Sequence, residues 1–444
     1  MDDSFRQLIE SLQARIAALE AENEQLRQKL AEIERLSNRQ AGKFRRRESS
    51  KIPADQHKRP GRKPGHEGHC RAVPTHIDRT EEVSLTGCPK CGGPVEQVQR
   101  VEQYIEEIVP ARPEVTRIIT YEGTCPCCGE VYSTHPLQTS RGRGAAKVQL
   151  GPRALSLGAK LNKAFGLPMR KTCQVLAELA GLRLTGGGLS QALDRVARKL
   201  LPAYGALHAR IRQAAAVYAD ETSWWVSGPG AWLWVFTTPQ DTLYRVEDGR
   251  GHGVVKKVLG PDFTGVLSSD CLASYDAPPY RKQKCAAHHL RAIKKARELP
   301  KTRDPTYLDR WETFWKQVVA LYHQHSSLTA EAFAQARNQL QRECDDLLQR
   351  SPEQPGDVKI YNRLLKHRPH LLTCLYDPAV EPTNNRAEQQ IRPAVVARKI
   401  SCGNKTPNGA ATWQVIASLA ATCAQRGLSF VDFTRPHLCL TGAG

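Results

Sequence analysis

Two short apolar runs, each closed by an aspartate, constrain this chain more than any other feature. Ala214–Ala219 leads into Asp220 and Gly265–Ser269 leads into Asp270. Between them Trp232–Thr238 and Thr242–Glu247 read as strands, with turns at Gly228-Pro229-Gly230 and Pro239-Gln240, so the region is an antiparallel meander followed by a further strand. Acids at the ends of neighbouring strands lie close together, and like charges so placed need a cation between them. Hard carboxylate oxygens point to Mg2+ or Mn2+. Either aspartate alone would read as a turn or cap residue, so a third acid decides the matter. Glu381-Pro382-Thr383-Asn384-Asn385-Arg386-Ala387-Glu388 reads as a capped helix start, with Glu388 in its first turn or two and Arg392 one turn later. Pro393 predicts a kink or restart in that helix. Three carboxylates, Asp220, Asp270 and Glu388, can hold two divalent ions roughly 4 Å apart, an arrangement suited to phosphodiester cleavage or strand transfer.

The charge fits a polyanionic partner. The 444 residues carry 64 Lys and Arg against 45 Asp and Glu, a net charge of +19. Residues 39–72 hold eleven Lys or Arg against three acids, and residues 141–213 hold fourteen against two, which leaves the rest of the chain near neutral. The first segment contains Arg45, Arg46, Arg47, Lys58, Arg59, Arg62 and Lys63 in a Gly/Pro-rich stretch without periodicity. It reads as a flexible arm that orders along DNA phosphates or as a solvated linker. The second is helical, with Lys160, Lys163, Arg170 and Lys171 along it. Cys173–Ala180 and Leu189–Leu200 frame either a helix-turn-helix, with Gln191, Arg195 and Arg198 facing a groove, or an ordinary helical hairpin; Gly186-Gly187-Gly188 lengthens the turn. An apolar fraction of 40% excludes wholesale disorder. The longest apolar stretches, such as Val415–Ala424, fall short of the ~20 residues that span a bilayer, and no basic-then-apolar leader precedes Ala17, so a soluble intracellular protein is expected.

Two further patterns concern assembly and metal. Ile9, Ile16, Asn23 and Leu30 interleave with Phe5, Leu12, Leu19, Leu26 and Ile33 at seven-residue spacing, as a and d positions of a coiled coil. Isoleucine at a, leucine at d and one Asn23 in the seam predict a parallel homodimer, and the flanking pairs Arg15 with Glu20, Glu22 with Arg27 and Lys29 with Glu34 are of opposite sign. Farther on, Cys88-Pro89-Lys90-Cys91 and Cys125-Pro126-Cys127-Cys128 are each followed by glycine. Cys88, Cys91, Cys125 and Cys128 can close a tetrahedral structural Zn2+ site, and the alternation across Val101–Tyr121 predicts paired strands between them, a zinc ribbon. Cys127 is surplus. Fourteen cysteines in so long a chain, paired this way, favour metal over disulfides.

Between Asp270 and Glu388 lie 117 residues, read mostly as helices at Leu290–Glu298, Tyr307–His323, Ala330–Gln349 and Val358–Tyr376. Trp311, Phe314 and Trp315 have the helical spacing of core residues. Thr412–Gln425, stopped by Gly427, is a further helix flanking the core.

The stretches Ala219-Asp220-Glu221-Thr222, Ser269-Asp270-Cys271-Leu272-Ala273-Ser274-Tyr275, Asn384-Asn385-Arg386-Ala387-Glu388, Ile391-Arg392-Pro393 and Arg398-Lys399 resemble the transposases of the bacterial insertion sequence sixty-six family, TnpC type, over essentially the whole chain. Thr383 and Gln389 stand where the family pattern usually has Asp and Arg. Cys285-Ala286-Ala287-His288 resembles the Cys-x-x-His signature after the second aspartate of many DDE enzymes; a helix-start cysteine and a surface histidine fit it equally. The resemblance implies a multidomain protein: a coiled coil (1–38), a basic arm (39–80), a zinc ribbon (81–140), a helical DNA-binding segment (141–213), an α/β ribonuclease H-like domain (214–410, with a helical insertion at about 290–376) and a helical tail (411–444). It implies catalysis by Asp220, Asp270 and Glu388 with Mg2+, supported by Cys285, His288, Asn384, Asn385 and Arg392. The implied partners are double-stranded DNA, as inverted terminal repeats and target, with possible accessory transposition proteins and no membrane; the implied location is the bacterial cytoplasm, at the nucleoid. A zipper-and-zinc DNA-binding regulator with a relic catalytic domain is the reading from another class.

Overall fold

The structure, a computed structural model, describes residues 12–27, 72–109, 111–141, 148–228, 230–297 and 305–440. The chain divides into two units, residues 1–107 and 108–444. In the first, α1 spans residues 12–27 and leaves Leu12, Ile16, Leu19 and Leu26 exposed. Asn23 donates from Nδ2 to the Leu19 carbonyl of its own helix, 3.1 Å away. Phe5, Ile9, Leu30 and Ile33 of the heptad pattern lie outside the described residues, as do Arg45, Arg46, Arg47, Lys58, Arg59, Arg62 and Lys63 of the basic arm. Cys88 opens a tight turn: its N–H donates to the Gly93 carbonyl and its carbonyl accepts from Gly92 N–H, both at 2.8 Å.

The second unit opens on a hairpin of β1 (Glu122–Cys125) and β2 (Gly129–Tyr132), paired so that Cys125 faces Gly129 across the turn. This corrects the sequence expectation, because no described residue between Val101 and Tyr121 is in a strand. Alternation marks two faces, but a strand also needs a partner in register, and the described pairing here runs only across the cysteine turn.

Four helices follow: α2 (Pro152–Ala159), widening into a π-turn at Lys160–Ala164, then α3 (Met169–Ala180), α4 (Gly186–Lys199) and α5 (Leu201–Arg212). The three glycines do not lengthen the α3–α4 turn. They form the first turn of α4, where the Thr185 hydroxyl accepts from Gly188 N–H at 3.1 Å and replaces a missing intrahelical partner. Gly181, in the left-handed region, ends α3.

The sheet has five strands in the order β5-β4-β3-β6-β7: β3 (Ala216–Trp224), β4 (Ala231–Thr237), β5 (Thr242–Glu247), β6 (Val266–Ser269) and β7 (Arg281–Lys284). The first three are the expected antiparallel meander, whereas β6 runs parallel to β3 and β7 parallel to β6. Helix α6 (His252–Leu259) connects β5 to β6. Alternating residues serve two cores. Tyr218, Leu233, Val235 and Val266 pack with α7 (Ala286–Arg297), α8 (Pro305–His323), α9 (Ala330–Gln349), α10 (Pro355–His367) and α11 (Asn385–Ser401). Val217, Ala219, Trp234, Phe236 and Leu267 pack with α2, α4, α5, α6, α12 (Pro407–Gln425) and α13 (Phe430–Leu438). The basic helical segment and the C-terminal helices therefore share a core with the sheet instead of forming bodies of their own, with α4 packed against α2 and α12.

The expected insertion is helical, though its last member ends at His367 and gives way to short 3-10 turns at Arg368–His370 and Thr373–Leu375. Trp311, Phe314 and Trp315 are fully buried, with edge-to-face rings 5.3 and 5.4 Å apart. Among the described residues no helix is long and apolar enough to cross a membrane.

Candidate active site

Asp220 is not at the end of its strand. β3 stays paired with β4 as far as Trp224, but its pairing with β6 stops at Tyr218 opposite Ser268. The parallel register that pairs 216 with 266 and 218 with 268 sets Asp220 level with Asp270, just past the end of β6, where the two strands part. Alternation puts both on the same face as Tyr218 and Val266, the face covered by α7 and α11. The notch so formed lies at the carboxyl ends of parallel strands, where α/β sheets commonly bind ligands.

Glu388 arrives on α11, which is fixed to β3 along its length. Asn384, fully buried, donates from Nδ2 to the Ala219 carbonyl at 2.8 Å, and its own N–H donates to Cys285 Sγ at 3.1 Å. Arg398 donates to Thr222 Oγ1 at 2.9 Å and to the Ser223 carbonyl. Asn404, just beyond the helix, accepts from Trp224 Nε1 at 2.8 Å. Pro393 does not restart the helix: α11 is one element from Asn385 to Ser401. These tethers offset a penalty of about 3 kcal/mol for an interior proline, and the Tyr244 hydroxyl donates to the Gln390 carbonyl in the turn before the ring, at 2.5 Å.

The electrostatics are those of an anion-rich notch. Burial pushes the Asp220 carboxyl up to about 7, and the charges of Glu221, Asp270 and Glu388 add to the rise, against a hydrogen bond from Glu221 N–H. Asp270 Oδ1 accepts from Leu272 N–H at 2.9 Å. Behind it Lys284, with no exposed side chain, donates to the Asp270 carbonyl at 3.0 Å and Ser269 Oγ at 3.3 Å and pairs with Asp276 at 2.8 Å. Glu388 Oε1 lies 2.6 Å from Arg291 Nη2 and 3.7 Å from His288 Nδ1. Burial and the Arg291 charge lower the His288 ring below its ordinary range.

The three acids thus act on one another through charge at Asp220. The group of ligand atoms that all come within 4.8 Å of one another among the described residues is a different one: Cys285, His288 and Glu388. Burial pushes the Cys285 thiol up, which keeps it a neutral acceptor for Asn384 N–H. Cys285 also donates its N–H to the Ser269 carbonyl, so it joins β6, α7 and the start of α11. The hard donors that suit a divalent ion such as Mg2+ are the carboxylates, and the negative charge gathered around Asp220 fits such an ion.

Asn385 and Arg392 are exposed on α11. Arg170 and Lys171 are exposed at the start of α3, and Arg195 and Arg198 on the outer face of α4, opposite buried Leu189, Leu193 and Val196. Arg198 is held by Asp194 at 2.7 Å. Lys160 lies over the exposed Phe165 ring at 5.5 Å, and burial lowers Lys163 to about 8. At the knuckles, backbone amides of Lys90 and Cys91 lower the Cys88 thiol and those of Cys127 and Cys128 lower Cys125, the environment a metal-bound thiolate needs.

Sequence reasoning missed Glu221, Lys284 and Arg291. Glu221, its side chain 2% exposed, accepts from Tyr275 at 2.5 Å and from Arg250 at 2.6 Å. Arg291 was within reach of the sequence, since it sits three residues after His288 on one helix face.

An α/β unit with a carboxylate-lined notch at the carboxyl edge of a mixed sheet defines the class. The sequence profile of the Transposase IS66 family matches residues 147–412, and the chain belongs to that family. The family is one of DDE transposases, which implies DNA as partner and a divalent metal ion as cofactor. The chain is similar to two uncharacterized proteins of Sinorhizobium fredii (strain NBRC 101917 / NGR234). It is 23% identical to y4qI over 419 residues, covering 83% of this chain and 74% of the relative. It is 25% identical to y4jD over 395 residues, covering 80% and 75%.

Proposed function

We propose that the protein is a DDE transposase of a bacterial insertion sequence, which binds the inverted ends of its element and catalyses strand cleavage and strand transfer on a ribonuclease H-like domain. The observation that carries the proposal is the level placement of Asp220 and Asp270 along the parallel register of β3 and β6, with the Asp220 carboxyl pushed up first by burial and then by its acidic neighbours. Asp220, Asp270 and Glu388 would hold Mg2+ or Mn2+ ions, which supply activation of water or a 3′-hydroxyl and stabilisation of the leaving oxygen. The rest of the chemistry belongs to the chain. Lys284 fixes the main chain at Asp270, Asn384 fixes the start of α11 against β3, and Cys285 ties both to α7. Arg170, Lys171 and Arg195, exposed on α3 and α4, offer phosphate contacts, joined by Arg198 and by the basic arm.

The paired Cys-x-x-Cys knuckles support a structural Zn2+, and the heptad pattern supports a parallel homodimer that brings two DNA ends together. The test is Asp220→Asn: nicking of DNA bearing the element's ends in Mg2+ is expected to be lost while binding to those ends in a mobility-shift assay without divalent ions is unchanged. Cutting by that variant at the wild-type rate would reject the assignment.

A further inference from the structure

Glu388 is the one member of the proposed trio whose carboxylate is already engaged by a cation. Arg291 Nη2 donates to its Oε1 at 2.6 Å, and the other partner of the guanidinium is the Ala287 carbonyl of its own helix, 3.3 Å from Nε. The pair is open to water: the Arg291 side chain is 56% exposed and that of Glu388 36%. Arg250 and Glu221 form a contrasting pair, since Glu221 is buried and Tyr275 holds its second oxygen. One ion pair is built in, and the other can exchange. His288 Nδ1 lies 3.7 Å from the same Glu388 oxygen, farther than Arg291 Nη2 at 2.6 Å.

A guanidinium and a divalent ion compete for the same carboxylate, and each repels the other. The guanidinium fork also matches phosphate oxygens, which water-exposed Arg291 can reach by rotating about its own side-chain bonds. We propose that Arg291 is an exchangeable counter-ion: in the free protein it neutralises Glu388, and on DNA binding a strand phosphate takes it over and frees Glu388 for the divalent ion. The inference rests on the proposed carboxylate site and adds a regulatory step to it. The free enzyme holds metal weakly, and DNA strengthens the holding. By linkage the metal must strengthen DNA binding by the same factor.

The test measures Mn2+ binding to the full chain by electron paramagnetic resonance of the free aquo ion, with and without a duplex from the DNA bordering the reading frame. Arg291→Gln is expected to bind Mn2+ roughly fivefold or more tightly than wild type when DNA is absent, and to show a smaller gain when DNA is added. Arg291→Lys, which keeps the charge, should stay close to wild type without DNA. Equal or weaker Mn2+ binding by Arg291→Gln without DNA overturns the proposal, because an arginine that merely orients Glu388 gives that result. Mn2+ binding that is unaffected by Asp220→Asn and Glu388→Gln overturns the carboxylate site itself, and this inference with it. The two failures are therefore distinct.

Discussion

Ionising Asp220 costs the fold stability. Its carboxyl titrates at about 7 in the folded chain, chiefly through burial and then through its acidic neighbours, against about 3.9 when unfolded. Below pH 4 both states are protonated and no penalty exists. Between pH 4 and 7 the unfolded chain releases the proton first, so this contribution to stability is lost as pH rises through 7 and stays lost above it. In the absence of divalent ions, Asp220→Asn should therefore be more stable than wild type at pH 8, by an amount of order 1–4 kcal/mol, and nearly equal at pH 4. Urea unfolding at the two pH values checks this; the same difference at both would show that titration is not its source. Asp220 and Asp270 could be read from the sequence because each ends an apolar run. Lys284 could not, because its partner lies 14 residues away, and Arg291 could be placed beside His288 but not against Glu388, 97 residues away.

At the scale of elements, polar side chains cap an edge. β5 is the outer strand on its side of the sheet, and its outward amides need partners. Helix α12 supplies them at four-residue intervals: Thr422 Oγ1 accepts from Thr242 N–H at 3.1 Å, Ser418 Oγ from Tyr244 at 2.8 Å, and Gln414 Oε1 from Val246 at 3.0 Å. Four helical residues advance about 6 Å and two strand residues about 6.8 Å, so the two repeats match over this length. Ser418→Ala leaves the buried Tyr244 amide without its acceptor and should lower stability by about 1–3 kcal/mol, read as a lower urea midpoint with an unchanged slope. A loss below a few tenths would mean that the edge amides do not depend on α12. The sequence announced α12 as a helix but not this use of its polar residues. It also misjudged Gly186-Gly187-Gly188, where the Thr185 cap overrides local preference.

At the scale of the molecule, basic charge and an unpartnered apolar seam dominate. The outward Arg195 and Arg198 of α4 sit on a helix whose inner face belongs to the same core as one side of the sheet. Leu12, Ile16, Leu19 and Leu26 are exposed along α1, and a second copy of the helix is the proposed cover. Removing residues 1–36 should convert a sedimenting dimer to a monomer while leaving the unfolding of the sheet domain unchanged. If the shortened and intact chains sediment with the same association state, the zipper is not the dimer contact.

The sequence by itself determined the strands of the meander, the helices of the insertion, the buried aromatic spine at Trp311, Phe314 and Trp315, and the local setting of Asp220, Asp270 and Glu388, because each is written in short-range periodicity or capping pattern. Only the tertiary structure decided that β6 parts from β3 beyond Ser268, that α11 lies pinned along β3, and that Arg291 meets Glu388. Those arrangements join residues distant along the chain, and their energies come from burial and from hydrogen bonds formed only after the layers have packed.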